Sequence, residues 1–496
     1  MSSIQETLDL IKSAQAQELA KGGIRTGHNL VPIDLQAPAK SLYPVNSPLR
    51  NVIPRVQDGI GLATNWRVIK SVAASGPTAS PWVGEGQRSG VMSMVTEDKA
   101  AKYVTLGEEN DASFESVSAG AGFEDILARA RLVLLQRMMM NEEHAILGGN
   151  ASLTLAVPAA PTLTAGGSGG TLPAATYSVA VVALTYSAFK DGSLGNGIPT
   201  AITRTSADGS SIALNGGCSA PSAASTAAVT LGQKLSCSTP AVRGAVGYAW
   251  FVGAAGAEKL EKITSINSAV FEAPLTGGAR QPLTAITGDF SANPQTAFDG
   301  LLTTAFLAGS GAYVKALATG TPGVGSILTP SGSGSVAEID EMFLQMWEQS
   351  QVSPSVIYCN ARELKAITAC VLAGSSGAPL VRMNVDANGG GPVNMTAGGV
   401  VGSYFNPYSL DGGMTIPIKI HPYLPPGTVI GWTNNLPIQY QQSNITSVAE
   451  IKCRKDYHAI DWSQRTRRYE MGVYAEEVMA VYFPAAMGIL HNIASV

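Results

Sequence analysis

The sequence contains little charge. Only 14% of its 496 residues are charged, against about 25% in an average soluble protein, and the formal net charge is -4. A broad surface that coats nucleic acid is therefore excluded, since such surfaces are strongly basic. A chain of this length is expected to form two to four domains. With so few charges, much of its surface should be buried, partly against other copies of the chain.

Cysteine is scarce, and its spacing does not suit a metal. Cys218, Cys237, Cys359, Cys370 and Cys453 include no CxxC pair. This argues against the common zinc motifs and against a disulfide framework. A disulfide between Cys218 and Cys237 stays open as an alternative, although a reducing cytosol disfavours it.

Motifs for catalysis and for nucleotide or metal binding are missing. The five histidines have no HExxH spacing, and the sequence has no P-loop and no GxGxxG. The glycine run at 166–170 satisfies G-x-S-x-G, but a nucleophile elbow needs a strand before it and a helix after it, and neither is predicted. We therefore predict no catalytic residue, no metal site, no cofactor and no enzymatic activity.

Secretion and membrane signals are also missing. Glu6 and Asp9 stand where a signal peptide needs basic residues before an apolar run. The longest apolar run, VMAVYFPAAMGIL, is too short for a membrane span and contains Pro484. We expect a protein that is soluble, or soluble until it assembles.

The first hundred residues predict a helix, an arm and a hairpin. Residues 3–20 begin with a capping box and have helical spacing. Five prolines between residues 30 and 56 exclude a helix, and the apolar composition favours an extended arm lying on another surface. The strands NWRVIKSV and MSMVTEDKAAKYVTL flank a tip rich in glycine and proline. Because a two-stranded ribbon is marginally stable alone, this hairpin must pack against a neighbour.

The strongest helical pattern runs from about residue 118 to 147. Glu124, Arg131 and Glu142 are placed off its apolar face, and the run Met138–Met140 is interpreted as core filler. The apolar face is formed by Phe123, Ile126, Leu127, Ala130, Leu134 and Met138.

The pattern then changes for more than a hundred residues. From Pro158 to about Ile286, short strands alternate with turns rich in Gly, Ser, Asn and Pro, which is typical of an all-β sandwich. Helical spacing returns at FDGLLTTAF. We interpret the β segment as a domain inserted into another domain at an exposed loop.

The last two hundred residues mix helices and strands. A helix is predicted at about 336–351, and a strand followed by a helix, with Asn360 as N-cap, at PSVIYCNARELKAITACVLA. In the last fifty residues, period-two alternation predicts long antiparallel strands, half exposed. Arg465, Arg467 and Arg468 form the densest basic cluster. Ion pairing with acids such as Asp461 and Glu470 is favoured over phosphate binding.

Several segments, in this order, resemble the major capsid proteins of tailed bacteriophages, which have the Hong Kong 97-like fold. NSPLRNVIPRV is similar to the start of the ordered capsid core, and SPWVGEG to a Trp-Val-x-Glu sequence of the extended loop. FEDILARARLVLLQRMMMNEEHAILGGN resembles the spine helix, and DWSQRTRRYEMGVYAEEVMAVYFPAA the closing strands. ILGGN and FDGLL look like two halves of one passage, separated by a β segment that resembles immunoglobulin-like or fibronectin type III-like phage domains.

The resemblance implies an α+β, Hong Kong 97-like fold with an inserted all-β immunoglobulin-like sandwich. The implied parts are the N-terminal helix and arm (1–57), the extended β-hairpin loop (58–116), the peripheral domain with its spine helix (117–157), the inserted β domain (158–287), the axial domain (288–444) and the peripheral closing strands (445–496).

The implied function is structural. Copies would form hexamers and pentamers of an icosahedral head around double-stranded DNA, with the β domain on the outer surface. The implied partners are portal, scaffold and possible cement proteins, with DNA touched only locally on the inner surface and no membrane. Assembly would take place in the bacterial cytoplasm, and the mature location would be the virion. Obligate contacts of this kind bury more than about 2,000 Å².

Contacts between subunits are expected on the arm, the hairpin and the basic cluster. The residues are Pro48, Arg50, Pro54, Arg55, Trp82, Glu85, Lys99, Lys102, Arg465, Arg467 and Arg468. Some relatives cross-link a hairpin lysine to a neighbour's asparagine, but no partner is identifiable here, so no cross-link is predicted. Others remove an N-terminal scaffold segment, which is not expected for a chain that begins at Met1.

Two other classes compete with this interpretation. A virion surface or tail adhesin would carry its immunoglobulin-like module at a terminus and show a secretion signal or fibre repeats. A hydrolase with a carbohydrate-binding module would act as a dispersed monomer. The order of segments does not fit the first expectation, and sedimentation of the purified protein distinguishes the second.

Overall fold

The fold was described from a computed structural model of the chain. The structure describes residues 9, 12, 44–73, 82–121, 123–206, 208–331, 334–374, 401–410, 412–437, 440–441 and 445–494. The predicted helix at 3–20, apart from residues 9 and 12, and the arm before residue 44 lie outside these residues.

The described residues form an α+β protein, as predicted. The helices are α1 (Phe114–Ala119), α2 (Ile126–Gly148), α3 (Tyr186–Asp191), α4 (Leu301–Phe306), α5 (Ala337–Ser350) and α6 (Ala361–Gly374), with 3₁₀ turns at Leu283–Ala285 and Pro484–Ala486. The strands are β1 (Arg55–Val56), β2 (Ala63–Ala73), β3 (Ser93–Lys102), β4 (Val104–Ser113), β5 (Thr162–Gly166), β6 (Ala175–Leu184), β7 (Ala201–Thr205), β8 (Ser211–Asn215), β9 (Ser225–Val229), β10 (Lys234–Ser238), β11 (Gly247–Gly253), β12 (Lys259–Thr264), β13 (Ser268–Phe271), β14 (Tyr313–Ala316), β15 (Val356–Cys359), β16 (Ser403–Asn406), β17 (Met414–Ile420), β18 (Val429–Trp432), β19 (Ala449–Asp461), β20 (Arg468–Val481) and β21 (Met487–His491).

Two sheets form the body of the molecule. The larger is a mixed sheet in the order β14-β21-β18-β15-β17-β16, and helices α5 and α6 bury apolar residues against it. The smaller is in the order β1-β19-β20-β4, and α2 packs on it through Leu134 and Met138 against Met471 and Val473. The alternation predicted for the closing strands is confirmed, since Ala449, Ile451 and Cys453 are buried in β19.

The long helix begins later than predicted. Helix α2 starts at Ile126 rather than near residue 118, because Gly120 ends the separate helix α1 and Asp125 caps a new start. The Asp125 carboxylate accepts hydrogen bonds from the backbone N–H groups of Leu127 (3.0 Å) and Ala128 (3.1 Å), as an N-cap residue does. The predicted N-cap at Asn360 is confirmed, since its Oδ1 accepts from the Arg362 N–H at 3.2 Å.

Strands β2 and β3 form the predicted hairpin. They pair antiparallel from Ala63 opposite Lys102 to Ala73 opposite Ser93, with one register shift near Ile69. No third strand joins this two-stranded sheet among the described residues. We use "the hairpin" for these two strands and the described part of their connection, residues 82–92.

The segment we name the inserted β module, residues 158–287, contains two facing antiparallel sheets. Their orders are β13-β10-β5 and β12-β11-β6-β9. Trp250, Leu235 and Val181 are fully buried in the core between these sheets. A two-sheet all-β segment is therefore observed, and its immunoglobulin-like or fibronectin type III-like assignment stays a prediction.

Two details of this segment concern expectations from the sequence, and only the strand that precedes the glycine run differs from them. Cys218 and Cys237 are buried as free thiols in separate clusters, so the alternative disulfide is not formed. Strand β5 does precede the glycine run at 166–170, but the next element is strand β6 rather than a helix. The run is therefore still no nucleophile elbow.

The two ends of the insertion lie together. The Gly300 N–H donates to the Gly149 carbonyl at 2.9 Å, and the Ala151 N–H donates to Asp299 at 2.8 Å. A Cβ at Gly149 would lie 2.6 Å from the Phe298 carbonyl oxygen, so only glycine permits this close approach. The halves ILGGN and FDGLL are thus adjacent in space, as the insertion hypothesis requires.

A polar seam joins the inserted β module to the body. Asn267 and Asn492, both buried, exchange hydrogen bonds of 2.8 Å and 3.0 Å. Asn267 also donates to the Thr239 carbonyl and to Thr319. Arg243 donates from Nε to the Phe306 carbonyl at 2.6 Å, at the end of α4. The module is therefore fixed to the body by directional contacts as well as by its two chain connections.

Candidate assembly surfaces

The described end of the arm, residues 44–57, lies on its own chain. We name this segment the arm root. Leu49 and Ile53 are buried, and β1 pairs parallel with β19. The Ile451 N–H donates to the Pro54 carbonyl at 2.9 Å. The arm therefore enters the body along an edge strand of the smaller sheet.

Two consecutive buried glutamates hold the arm root. Glu143 accepts from the backbone N–H groups of Leu49 (3.0 Å) and Arg50 (2.8 Å), and it contacts Nε2 of buried His421 at 2.7 Å. Glu142 accepts from Arg50 Nε at 2.6 Å and from Arg55. Both glutamate side chains are completely buried. The prediction that Glu142 lies away from the helix's buried face is therefore wrong, because the arm root covers that face.

Arg55 is the centre of this charge cluster. Its Nη2 donates to Asp456 at 2.6 Å and to buried Glu477 at 2.9 Å. Burial acts to lower the pKa of Arg55, but the charge of Glu477 and the hydrogen bond with Asp456 outweigh it and raise that pKa. Burial raises the pKa of Glu477, although Arg55 opposes this shift. Removing one partner of such a cluster leaves a buried charge uncompensated, which is strongly destabilising.

The predicted arm contacts are therefore occupied within the chain. The guanidinium groups of Arg50 and Arg55, each 16% exposed, face their own carboxylates. Pro48 is half-buried and Pro54 is exposed. Sequence reasoning missed the partners Glu142, Glu143 and Glu477. The sequence predicted contacts between subunits for the two arginines, and nothing local indicated a helix of the same chain more than eighty residues away.

The hairpin is the opposite case, because its apolar side chains are exposed. Among the described residues, nine of the 26 exposed large apolar side chains lie between residues 60 and 95, seven of them in the hairpin and two, Ile60 and Leu62, just before it. They are Ile60, Leu62, Ile69, Trp82, Val83, Val91, Met92, Met94 and Val95. Exposed apolar side chains concentrated in one segment mark an interaction surface.

The four predicted contact residues of the hairpin lie near its two ends. Trp82 is 88% exposed, and Glu85 is exposed beside it. Lys99 contacts Glu97 at 2.8 Å, and Lys102 donates to Gln295 at 3.1 Å, close to the body. Trp82 and Glu85 therefore lie at the tip, and Lys99 and Lys102 lie towards the base.

The basic cluster forms ion pairs between elements, but with other partners than predicted. Arg467 pairs with Glu115 at 2.7 Å and Arg468 with Asp111 at 2.8 Å. Asp461 pairs instead with Arg131 at 2.9 Å. All these side chains are largely exposed, so each pair contributes about 1 kcal/mol or less. Arg465 lies in a surface cleft with Asp208 and Trp462.

Neither a metal cluster nor a membrane helix occurs in the part of the chain that the structure describes. No three His, Cys, Asp or Glu side chains are grouped so that they could hold an ion. No described helix is long and apolar enough to cross a membrane.

Comparisons with known proteins return capsids among solved structures. No family model matches the chain, and no curated protein matches it. The capsid of Myoviridae Phage XM1 is 8% identical, with 95% of this chain and 99% of that chain covered and a TM-score of 0.40. The capsid of the native GTA particle is 10% identical, with 95% and 97% covered and a TM-score of 0.40.

A third similar structure is the holo-SrpI encapsulin complex from Synechococcus elongatus PCC 7942. It is 9% identical, with 92% of this chain and 93% of that chain covered and a TM-score of 0.32. These likenesses agree with the resemblance found in the sequence. At such identities and TM-scores they carry no argument about function, which rests instead on the contacts of this chain.

Proposed function

We propose that this chain is the subunit of a closed protein shell, the major capsid protein of a tailed phage. The observation that carries the proposal is the hairpin, a two-stranded ribbon with its apolar side chains in solvent. Such a ribbon is marginally stable in water unless a further layer covers it. A second copy of the chain supplies that layer.

The shape of the contact favours rings. A projecting hairpin on one copy meets a different surface on the next copy, so the interface is heterologous. Heterologous contacts close into rings when the rotation between copies allows it. Hexamers and pentamers of this kind build an icosahedral head enclosing double-stranded DNA. Portal, scaffold and cement proteins are the partners such a head requires, and assembly takes place in the host cytoplasm.

The parts of the chain then have distinct roles. We assign 1–57 to the N-terminal helix and arm, 58–116 to the extended loop, 117–157 and 445–496 to a peripheral domain, and 288–444 to an axial domain. The inserted β module is displayed on the outer surface. The two chain connections of the module lie side by side, and this supports the division. A module that joins the body at one place does not interrupt the surrounding fold.

Electron microscopy combined with sedimentation of the purified full chain tests the proposal. We expect regular shells or capsomer rings, formed by the chain alone or with its phage partners. A monodisperse monomer under all conditions would contradict the proposal.

A hairpin variant makes the test specific. Met94 and Val95 are 58% and 50% exposed, and the double change Met94→Ser with Val95→Ser should abolish rings and shells. The matched control is Ile202→Ser with Ile212→Ser, on the exposed β7–β8 ribbon of the inserted β module, where the side chains are 41% and 44% exposed. We expect the control to assemble normally. Equal assembly of both variants would contradict the role given to the hairpin.

A further inference from the structure

A cleft of about 430 Å³ lies where the inserted β module meets the smaller sheet of the body. We name it the junction cleft. This volume is within the range of about 300–1,000 Å³ found for binding clefts in proteins. One wall comes from β20 and the loop before it, through Trp462, Arg465 and Tyr474, and a second comes from β4 through Glu109. The third wall is the turn between β7 and β8, which contributes Asp208.

The ring of Tyr474 is fixed on the surface of the smaller sheet. A Cβ at Gly107 would lie 2.3 Å from one carbon of this ring, and a Cβ at Gly472 would lie 2.6 Å from another. Glycine inside a strand weakens it and often marks a place where another group approaches closely. The Tyr474 hydroxyl donates to the Glu109 carboxylate. Two strand glycines and one hydrogen bond therefore set the position of the ring.

Trp462 adds a second aromatic wall. Its side chain is 44% exposed, and its ring stands at 88° to the ring of Tyr474, with centroids 6.4 Å apart. The backbone N–H of Trp462 donates to the Glu470 carbonyl at 3.0 Å, which holds the chain in place after β19. The two rings form a corner. An exposed aromatic side chain held in a concave site is typical of a ligand-binding surface.

The inserted β module completes the junction cleft. Arg204 in β7 donates from Nη2 to the Gly107 carbonyl at 3.1 Å, and this bond holds the β7–β8 ribbon against β4. In the turn of the ribbon, Asp208 accepts from the N–H (2.9 Å) and the hydroxyl (2.7 Å) of Ser210. Both hydrogen bonds end on Oδ1. The Oδ2 atom of Asp208 is therefore available to accept a hydrogen bond from a ligand.

The charges of the junction cleft restrict the class of ligand. Glu109, Asp208 and Glu470 supply carboxylates, which repel an anion such as phosphate. Arg465 opposes a strongly cationic ligand, and unlike Arg467 it forms no ion pair within the described part of the chain. A ligand without net charge avoids both penalties.

The polar groups of the junction cleft suit hydroxyl groups. Carboxylates accept hydrogen bonds and a guanidinium donates them, and the hydroxyls of Ser206, Ser463 and Thr466 do both. A sugar hydroxyl also donates and accepts, and the apolar face of a sugar ring packs on an aromatic ring. A neutral glycan therefore matches the aromatic corner and the mixed polar lining together.

We propose that the junction cleft binds a neutral glycan, with a sugar ring packed against Trp462 and sugar hydroxyls paired with Asp208 and Arg465. The inserted β module and the body each supply part of this site, and neither forms it alone. This inference goes beyond the proposed function. Binding is measured on the chain whether or not it assembles, so the failure of one does not decide the other.

A glycan array probed with the purified full chain tests the proposal. The array carries neutral oligomers of glucose, mannose, galactose and N-acetylglucosamine beside sialylated and sulfated glycans. We expect binding confined to neutral glycans, and titration calorimetry with the best of them gives the dissociation constant. Absence of binding to every neutral glycan would overturn the proposal. Tighter binding to sulfated glycans, to double-stranded DNA or to oligolysine would overturn the assigned class of ligand.

An aromatic variant locates the site. Trp462→Ala should weaken glycan binding at least tenfold, because the exposed ring supplies the apolar contact. The matched control is Phe405→Ala on β16, where the ring is 61% exposed, and it should bind within twofold of the unmodified chain. Both side chains are largely in water, so both variants should fold. Equal affinities of the two variants would show that the glycan does not bind in the junction cleft.

A second variant tests the contribution of the inserted β module. Asp208→Asn keeps an oxygen for the hydrogen bonds from Ser210 but replaces the acceptor Oδ2 with an amide donor. We expect binding at least fivefold weaker. The control Asp191→Asn changes an exposed aspartate that pairs with Lys190 in the same module and should bind within twofold. Unchanged binding by Asp208→Asn would overturn a site shared between the module and the body.

Discussion

The hairpin and the inserted β module are both antiparallel β structure, yet they treat apolar side chains in opposite ways. In the inserted β module, seven strands in two sheets enclose Trp250, Tyr248 and Val181, each at most 1% exposed. In the hairpin, two strands have no second layer, and Met94 and Val95 are at least half exposed. The same residue types are core in one region and surface in the other.

The difference teaches that burial is decided by the neighbouring layer rather than by the strand. Each Å² of apolar surface removed from water contributes about 25 cal/mol. The inserted β module obtains this contribution within one chain. The hairpin obtains it only from a partner, so its apolar residues should affect assembly far more than they affect the stability of the monomer.

The largest effect on the free energy of unfolding is expected at Trp250. This side chain is fully buried, and its Nε1 donates to Thr264 at 2.9 Å. Trp250→Ala should lower the free energy of unfolding by about 4–5 kcal/mol, in the upper part of the range for such cavities. Denaturant unfolding of the monomer measures this. A loss below about 1 kcal/mol would mean that the inserted β module does not depend on its core.

The arm root should be nearly as sensitive. Glu143→Ala removes the acceptor for two backbone N–H groups of the arm root and for His421, all in a buried site. We expect the free energy of unfolding to fall by about 3–5 kcal/mol. Proteolysis should also become faster, because the arm root is released. The control Glu341→Ala breaks a pair whose glutamate is 46% exposed and should cost about 1 kcal/mol or less. Equal effects of the two changes would refute the arrangement at the arm root.

As the pH falls, the body should lose stability at a higher pH than the inserted β module, which contains no histidine. His491, 4% exposed, has its pKa lowered to about 4 by burial and by the nearby charge of Arg243. In the unfolded chain His491 has an ordinary pKa of about 6.5 and binds a proton more readily than in the folded protein. The free energy of unfolding therefore falls as the pH drops from about 6.5 towards 4.

The free energy of unfolding should fall by about 2 kcal/mol between pH 7 and pH 5. Hydrogen exchange should quicken in β21 at acidic pH before it does in β6 and β11. His491→Gln should reduce the pH dependence without abolishing it, because burial also lowers the pKa of His144 to about 4. Earlier exchange in β6 would contradict the assignment to His491.

The polar seam should show a moderate effect. Asn267→Ala removes one of two acceptors of the Asn492 amide group and the side-chain donor to the Thr239 carbonyl, which costs about 1–2 kcal/mol. Unfolding midpoints measure this cost. The matched control is Asn196→Ala, an exposed turn residue, for which a change below about 0.5 kcal/mol is expected. No difference between the two variants would show that the seam contributes nothing.

The smallest effect on the monomer is expected in the hairpin. Met94→Ser with Val95→Ser should change the free energy of unfolding by less than about 0.5 kcal/mol, because both side chains are already in water. The same variant should fail to assemble. A large loss of monomer stability would show that the hairpin is supported within its own chain, and the contrast with the inserted β module would disappear.

Local patterns were sufficient for much of the fold. Strand-like segments on either side of a tip rich in glycine and proline predicted the hairpin, and short strands between turns predicted the inserted β module. Period-two alternation predicted β19 and β20. The change in spacing at Pro158 and its return at FDGLLTTAF predicted an insertion, which the adjacency of Gly149 and Gly300 supports. The start of α2 was missed because the apolar spacing continues across a break in the helix. At this break Gly120 ends α1 and Asp125 caps the start of α2.

The candidate assembly surfaces were only partly predictable. The sequence placed Arg50 and Arg55 among the contacts between subunits, and it did not indicate that Glu142, Glu143 and Glu477 of the same chain would surround the arm root. These residues are separated by about ninety to more than four hundred positions and meet only when β1 pairs with β19.

The sequence by itself determined the class of each segment, because spacing of apolar residues and turn chemistry act over a few neighbouring positions. Only the tertiary structure decided which charged side chains became buried and which apolar ones stayed exposed. The physical reason is that burial depends on which layer covers a residue. That layer comes from distant parts of the chain or, as we propose for the hairpin, from another copy.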